Sequence, residues 1–334
     1  MKDTDFVESS AYLRVQEKRL LQNSSLERVV DAPNVMEALR MLSQNTDYDF
    51  ASLKSVADYE QTLKAELKRV YKMAYALAKG NRQVVDILAC RYDFHNVKAA
   101  VKANHFRQRS DVPYVRVTDV DPAEIERLAQ DPTAKTDLPE HIAKAVKDAQ
   151  SAFGRTSNPQ DIDVVLDKAI FAHMLTLCET CGNSFITDYV KMAIDFYNIK
   201  TLLRVKAMQK GTAFLAETLA PGGKTDTGFF VEHYNKTPAA MVPVFYYKYF
   251  GEAMRAGMES FEKSGNYSNL ERLFDNLLIA HTKAAKYMAF GAEVLFSYLV
   301  SKENEIRQIR IVITCKQNNI PQESLRERLR DNYA

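Results

Sequence analysis

The chain is poor in the residues that interrupt helices, with only 11 glycines and 10 prolines in 334 residues. Charge of one sign is missing too. Its 45 basic and 43 acidic side chains leave +2, which excludes the basic footprint of a nucleic-acid binder. With ordinary apolar content it also lacks the composition of a disordered chain. Cysteine is scarce: Cys178 and Cys181 form one CxxC, Cys90 and Cys315 supply no second pair at metal spacing, and all four read as structural helix residues. No apolar run is long enough to span a bilayer. The longest, Tyr287 to Val300, is interrupted by Glu293 and reads as a buried helix. Asp3, Asp5 and Glu8 near the start leave no room for an apolar signal segment, so a cytosolic chain is expected.

Against these absences stands a duplication. Residues 80–98 and 182–200 both open on Gly-Asn (Gly80-Asn81, Gly182-Asn183) and carry an Asp six positions later (Asp86, Asp188). Both close on Asp-Phe-x-Asn-(Val or Ile)-Lys, written Asp93, Phe94, Asn96, Val97, Lys98 and Asp195, Phe196, Asn198, Ile199, Lys200. Seven identities at fixed offsets make chance an unsatisfactory explanation. A weaker third copy emerges near the C-terminus when Glu305 is set against the two Asn residues, Ile306 and Arg307 then repeating the apolar and basic steps. In that register Lys302 stands for the Asp and Glu303 for the Phe.

Helical periodicity runs through most of the chain. Residues 1–24 read as a helix, and Ser24 and Ser25 as the start of the next. Asn34 precedes Met36, Leu39 and Leu42, and Val56, Tyr59, Leu63, Leu67, Val70 and Tyr71 form a stripe that continues to Gly80. Gly80 is a natural stop and Asn81 a cap, so each repeat reads as a helical hairpin hinged at Gly-Asn. Residues 105–160 are broken by Pro113, Pro122, Pro132, Pro139 and Pro159, with Val115 to Val120 forming a short strand or an extended crossing and a helix expected from Leu138 through Ala149. Ala220 to Gly228 reads as a polar loop. A third unit begins near Asn269, one long helix is expected from about Phe290 to Gln317, and Pro321 permits a last helix through Arg330. The class is all-α, in three units over residues 1–110, 111–215 and 216–334.

Within each motif the apolar positions one, four and five residues after the Asn (Val97, Ala100, Val101; Ile199, Leu202, Leu203) share one helix face. The Asp lies one turn earlier at the edge of that face, placed to exchange hydrogen bonds with a neighbouring helix end, while Lys98, Lys200 and Arg307 point away. Leaving a buried polar group unsatisfied costs roughly 1–3 kcal/mol, so these residues read as structural. No catalytic, metal or cofactor site is expected. Gly223, Lys224 and Thr225 superficially resemble a phosphate loop, but Thr218 stands where its first Gly belongs. His95 is the one candidate base, and its counterpart is Tyr197. His105, His141, His173, His233 and His281 stand in no metal-binding pattern.

The chain resembles the C subunit of bacterial and archaeal V/A-type rotary ATPases, whose eukaryotic relative is called the d subunit. The residues carrying this run from Tyr12, Arg14 and Val15 through Glu37 to Leu39, Asp93 to Lys98, Asp161 to Lys168 and Asp195 to Lys200. The most specific are Glu293, Tyr298, Leu299, Lys302, Glu303, Glu305, Ile306, Arg307, Ile309 and Arg310, followed by Lys316, Glu323, Arg326, Arg328 and Leu329. The resemblance implies a pseudo-threefold helical funnel with no activity or cofactor of its own. It also implies a peripheral place on the cytoplasmic face of the membrane, one copy per complex, joining the central stalk to the proteolipid rotor ring and passing on torque for Na+ or H+ transport. A free-standing helical scaffold or regulatory module is the alternative.

Overall fold

The computed structural model describes residues 1–50, 52–53, 55–106 and 114–333. Pro113 and the expected unit boundary at 110/111 lie outside them. Among the described residues all regular structure is helical and no strand occurs.

A 3-10 turn, Asp3–Phe6, leads into α1 (Val7–Glu17). The helix expected over 1–24 breaks here, because the Arg19 and Leu20 amides take the tighter Gln16 and Glu17 carbonyls. Next, α2 (Asn23–Asp31) starts before Ser24 and Ser25 rather than after them, and α3 (Val35–Asn45) is capped by the Asn34 side chain, which accepts the Glu37 N–H at 2.9 Å. The stripe of α4 (Tyr59–Leu77) is buried at Leu63, Leu67, Val70 and Tyr71, and the helix ends where Lys79 and Gly80 take positive φ.

Beyond Gly80 runs α5 (Gln83–Phe106). Residues 115–120 form no strand and bend at Thr118 and Asp119. The sequence reading overlooked α6 (Pro122–Gln130), although Asp121 caps it through the Ala123 N–H and Pro122 fills its first position. Then come α7 (Glu140–Thr156), longer than expected, and α8 (Pro159–Cys181), which ends on Gly182 at φ 64°. Asn183 caps α9 (Ser184–Ala207) by accepting the Ile186 N–H at 3.1 Å. Short helices α10 (Thr212–Thr218), α11 (Thr227–Glu232) and α12 (Pro238–Phe245) precede α13 (Gly251–Ser264), α14 (Ser268–Lys283), α15 (Ala292–Gln317) and α16 (Gln322–Arg326). Two expectations shift here. Tyr287 is 93% exposed and outside the buried helix, which begins at Ala292, and the last helix stops at Arg326 instead of Arg330.

The chain divides into two compact units, Met1–Lys79 with His233–Ala334, and Gly80–Glu232. The first is built around α15, against which α1, α3, α4 and α14 pack. Val294, Leu295, Leu299, Ile309, Val312 and Ile313 on α15 are fully buried, each worth about 1.5–3 kcal/mol of transfer free energy. In the second, α5 is covered by α6, α7 and α8, with Phe94, Val97, Val101, Leu128, Val146 and Leu166 in its core, while α9 packs with α8, α10 and α11. Gly80 is where the chain passes from one unit to the other, so the first Gly-Asn links helices of different units, whereas the second turns between α8 and α9.

Candidate functional site

The duplicated motif proves to be a clasp on backbone outside the helices, in the second copy just past the C-cap Leu219 of α10. On α9 the fully buried Asn198 donates through Nδ2 to the Ala220 carbonyl at 2.8 Å, and its Oδ1 accepts the Ala220 N–H at 2.8 Å. One turn earlier, Asp195 accepts the Thr225 N–H at 3.0 Å and the Thr225 hydroxyl at 3.1 Å. Both polar groups of an irregular, buried backbone segment are thereby satisfied by one side chain, which is what burial of a loop requires. The expected polar loop is therefore partly core, with Ala220 and Thr225 buried. The glycine pair follows from the same approach. A Cβ on Gly223 would sit 2.1 Å from Asp195 Oδ1, and one on Gly222, at φ 91°, would meet Leu175 Cδ1 at 2.4 Å. Lys224, between the pair and Thr225, binds Asp188 at 3.0 Å.

The first copy repeats the arrangement on α5. Asn96 Nδ2 donates to the Val115 carbonyl at 2.7 Å and Oδ1 accepts the Val115 N–H at 2.9 Å, while Asp93 accepts the Thr118 hydroxyl at 2.6 Å. Burial pushes the Asp93 carboxyl up to about 7, against the lowering effect of Thr118. Lys98 does not point away. It reaches across to Asp167 at 2.9 Å and Asp163 at 3.3 Å on α8. Lys200 is half-buried, and His95 is exposed while Asp93 and Asn96 are buried. Beside the clasp, Phe94 lies against a stacked His141–His173 pair with ring centroids 3.8 Å apart, and burial with the neighbouring His141 lowers His173 to about 4.

The third copy is present, three residues later than the sequence alignment sets it. On α15 it is Gln308, not Glu305, that donates to a backbone carbonyl, Arg330 O at 2.5 Å, and accepts the same residue's N–H at 2.9 Å. Glu305 then takes the Asp position, and the string Glu305-Ile306-Arg307-Gln308-Ile309-Arg310 repeats acid, apolar, variable, amide, β-branched, base. The plus-one, plus-four and plus-five positions become Ile309, Val312 and Ile313, all fully buried. Arg310 takes the place of Lys98 and, like it, reaches a carboxylate on a neighbouring helix, Glu60 of α4 at 2.7 and 3.0 Å. Past the turn that ends at Arg328 the chain lies outside any helix, and Asn304 donates to the Asp331 carbonyl as well. Arg307, at the variable position, binds Asp275 at 2.9 Å, and Glu303 accepts the Tyr71 hydroxyl at 2.6 Å.

Charge is buried at the third clasp. Glu305 accepts the Leu21 N–H at 2.5 Å, the Tyr48 hydroxyl at 2.9 Å and the Lys302 ammonium at 2.8 Å. Lys302, its side chain 2% exposed, also meets Glu66 at 3.2 Å, and Glu66 binds Arg69 at 2.7 Å. Burial alone pulls the ammonium down, but Glu305 and Glu66 more than offset it and hold Lys302 above the ordinary lysine range. Burial, then the Glu305 charge, hold the Tyr48 hydroxyl well above its ordinary value. Sequence reasoning missed this cluster because Lys and Glu in a helix ordinarily face water. The available signal was their coincidence with the apolar stripe of the longest helix.

These polar groups are occupied by the chain's own backbone and by each other, which is an arrangement for holding segments in place. Among the described residues no group of three His, Cys, Asp or Glu could hold a metal ion, and no helix is long and apolar enough to cross a membrane. Cys178 and Cys181 are buried and form no disulfide, and burial pushes the Cys178 thiol up to about 12, away from thiolate chemistry.

Comparison with known proteins matches residues 9–328 to the model of the ATP synthase (C/AC39) subunit family. The C subunit of the V-type sodium ATPase of Enterococcus hirae is 22% identical over 330 residues, covering 98% of this chain and 99% of that one. The C subunit of the A-type ATP synthase of Methanocaldococcus jannaschii is 21% identical over 340 residues, 96% of this chain and 85% of that one. Its counterpart in Thermococcus kodakarensis is 22% identical over 338 residues, 98% and 90% respectively.

Proposed function

From the premise that the chain belongs to the ATP synthase (C/AC39) subunit family, we propose that it is a non-catalytic rotor adaptor of a V/A-type ATPase. In this reading it joins the central stalk to the proteolipid ring on the cytoplasmic side of the membrane, as one copy per complex, and passes on torque that drives Na+ or H+ transport. The observation that carries it is the threefold recurrence of one clasp on three long helices, α5, α9 and α15. Two of these helices, moreover, pack on the first helix of the next repeat in cyclic order, α5 on α8 and α15 on α4. Such recurrence supports three related helical units, 1–110, 111–215 and 216–334.

An element that transmits torque has to resist shear without chemistry. Irregular segments are the soft points of a helical protein, and clasping each of them to a long helix through buried hydrogen bonds stiffens them. The test is a purified complex assembled with and without this chain. ATP hydrolysis by the soluble head is expected to persist without it while coupled ion transport is lost. Loss of head hydrolysis, or transport that survives, contradicts the adaptor role.

A further inference from the structure

In the unit formed by Met1–Lys79 and His233–Ala334, α12 has no polar face. From Pro238 to Tyr247 the chain carries no charged side chain, and its only side-chain hydrogen-bonding groups are the two tyrosine hydroxyls at the end. α12 packs on α13 and buries Met241 and Phe245. On the opposite side, at helical spacing, Ala239, Ala240, Pro243, Tyr246 and Tyr247 are exposed, Tyr247 to 91%. A surface helix ordinarily sets charged residues on its outer face, and one that is apolar all round belongs in a protein core or in lipid. The turn after it is held firmly. Phe245 and Phe250 are buried with ring centroids 5.8 Å apart, a Cβ on Gly251 would sit 2.1 Å from the Tyr246 carbonyl oxygen, and Tyr249 is left exposed. Lys236 precedes the helix and Lys248 follows it, while Glu252 beyond them is already held by Arg255 at 2.9 Å. Gly257 lies against Leu270 in the α13–α14 hairpin. The aromatic turn before α13 is therefore at the same end of that hairpin as the exposed Lys286 and Tyr287 after α14.

We propose that α12 and the turn after it form a lipid-contact surface that lies in the plane of an anionic bilayer. The exposed rings of this segment are tyrosines and its phenylalanines are turned inward, and a ring that carries a hydroxyl suits the depth where acyl chains meet headgroups. Lys236 and Lys248, one at each end of the apolar face, are placed for lipid phosphates. With 8 residues, α12 is about 12 Å long, far short of the hydrocarbon thickness of about 30 Å. It lies along the surface and does not span. The contact is made by this chain with lipid and needs no rotor ring, so it stands or falls apart from the adaptor reading.

The chain has no tryptophan, so Tyr247→Trp puts a single fluorescent reporter on this face. The full-length variant is titrated with protein-free vesicles of phosphatidylcholine, with and without phosphatidylglycerol. On the anionic vesicles its emission is expected to shift to the blue and to be quenched by brominated acyl chains. Adding K236Q/K248Q is expected to weaken that binding at least about tenfold at low salt, and K236Q alone, expected to weaken it at least about threefold, serves if the double variant melts early. Met36→Trp is the control, since Met36 is exposed beside Lys316 and Gln317, at the far end of α15 from Tyr287, and its emission is expected to stay unshifted. Unchanged Tyr247→Trp emission on anionic vesicles, in a variant that melts like the natural chain, overturns the proposal, as does an equal shift in Met36→Trp. A shift seen only with vesicles that carry the proteolipid ring assigns the face to protein. Blue emission without vesicles that grows with protein concentration assigns it to a second copy of this chain. Either of these overturns lipid as the occupant.

Discussion

Asn198 and Gln308 perform the same operation on a segment outside the helices, yet their surroundings are chemically opposite. Around Asn198 the supporting residues are an Asp, a Thr and a glycine pair pressed against the helix. Around Gln308 they are the buried charges of Lys302, Glu305 and Glu66. The lesson is that the recurring unit is a donor–acceptor geometry, an amide that takes both groups of one backbone residue with an acid one turn before it. The residue types can change as long as every buried group stays paired. In the Asn198 clasp, failure leaves neutral groups unsatisfied. In the Gln308 clasp, failure also strands charge.

That contrast orders the expected effects. Lys302→Met leaves Glu305 and Glu66 buried without their shared cation and is expected to cost about 3–5 kcal/mol in denaturant unfolding. Adding Glu305→Gln to it should recover part of the loss, and a double variant no better than the single one would break the ionic account. Asn198→Ala orphans the N–H and carbonyl of buried Ala220 and Gln308→Ala those of half-buried Arg330, an expected loss of about 2–4 kcal/mol each. Near-equal costs support a common clasp, whereas a Gln308→Ala cost below about 0.5 kcal/mol makes the third copy a resemblance of sequence alone. Gly223→Ala drives a methyl into Asp195 and is expected to cost about 1–3 kcal/mol, with the Thr225 amide exchanging faster.

The smallest effect concerns pH. Folded Asp93 titrates near 7, above the usual carboxylate range, so its contribution to stability is present below about pH 4 and is lost as pH rises through 7. Asp93→Asn keeps an acceptor for Thr118 and mimics the protonated acid. It should remove that slope and stabilise the chain by about 1–2 kcal/mol at pH 8, measured by denaturant unfolding at both ends of the range. An unchanged slope would place the titration elsewhere.

Much of this was legible in the residues. The all-helical class followed from periodicity, the helix after Asn34 from the apolar spacing that follows it, and the two strong motifs from identity at fixed offsets. Their targets were not legible, because Val115 and Ala220 are clasped through backbone groups that every residue carries. The third copy was misaligned because Asp became Glu and Asn became Gln, and an identity count rewards neither change. Aligning on the buried face, Ile309 with Val312 and Ile313, gives the right register. α6 was lost among prolines read only as breakers, although Asp121-Pro122 is a helix start. Lys302 was hidden because a lysine in a helix ordinarily faces water, and only its place in the apolar stripe of α15 marked it.

The central claim, that one clasp is used three times, is tested most directly by amide hydrogen exchange at Val115, Ala220 and Arg330. The account predicts that all three, although they lie outside helices, exchange orders of magnitude more slowly than exposed loop amides such as Gly211, and that Arg330 loses this protection in Gln308→Ala. Exchange at Arg330 as fast as at Gly211 in the natural chain would contradict it.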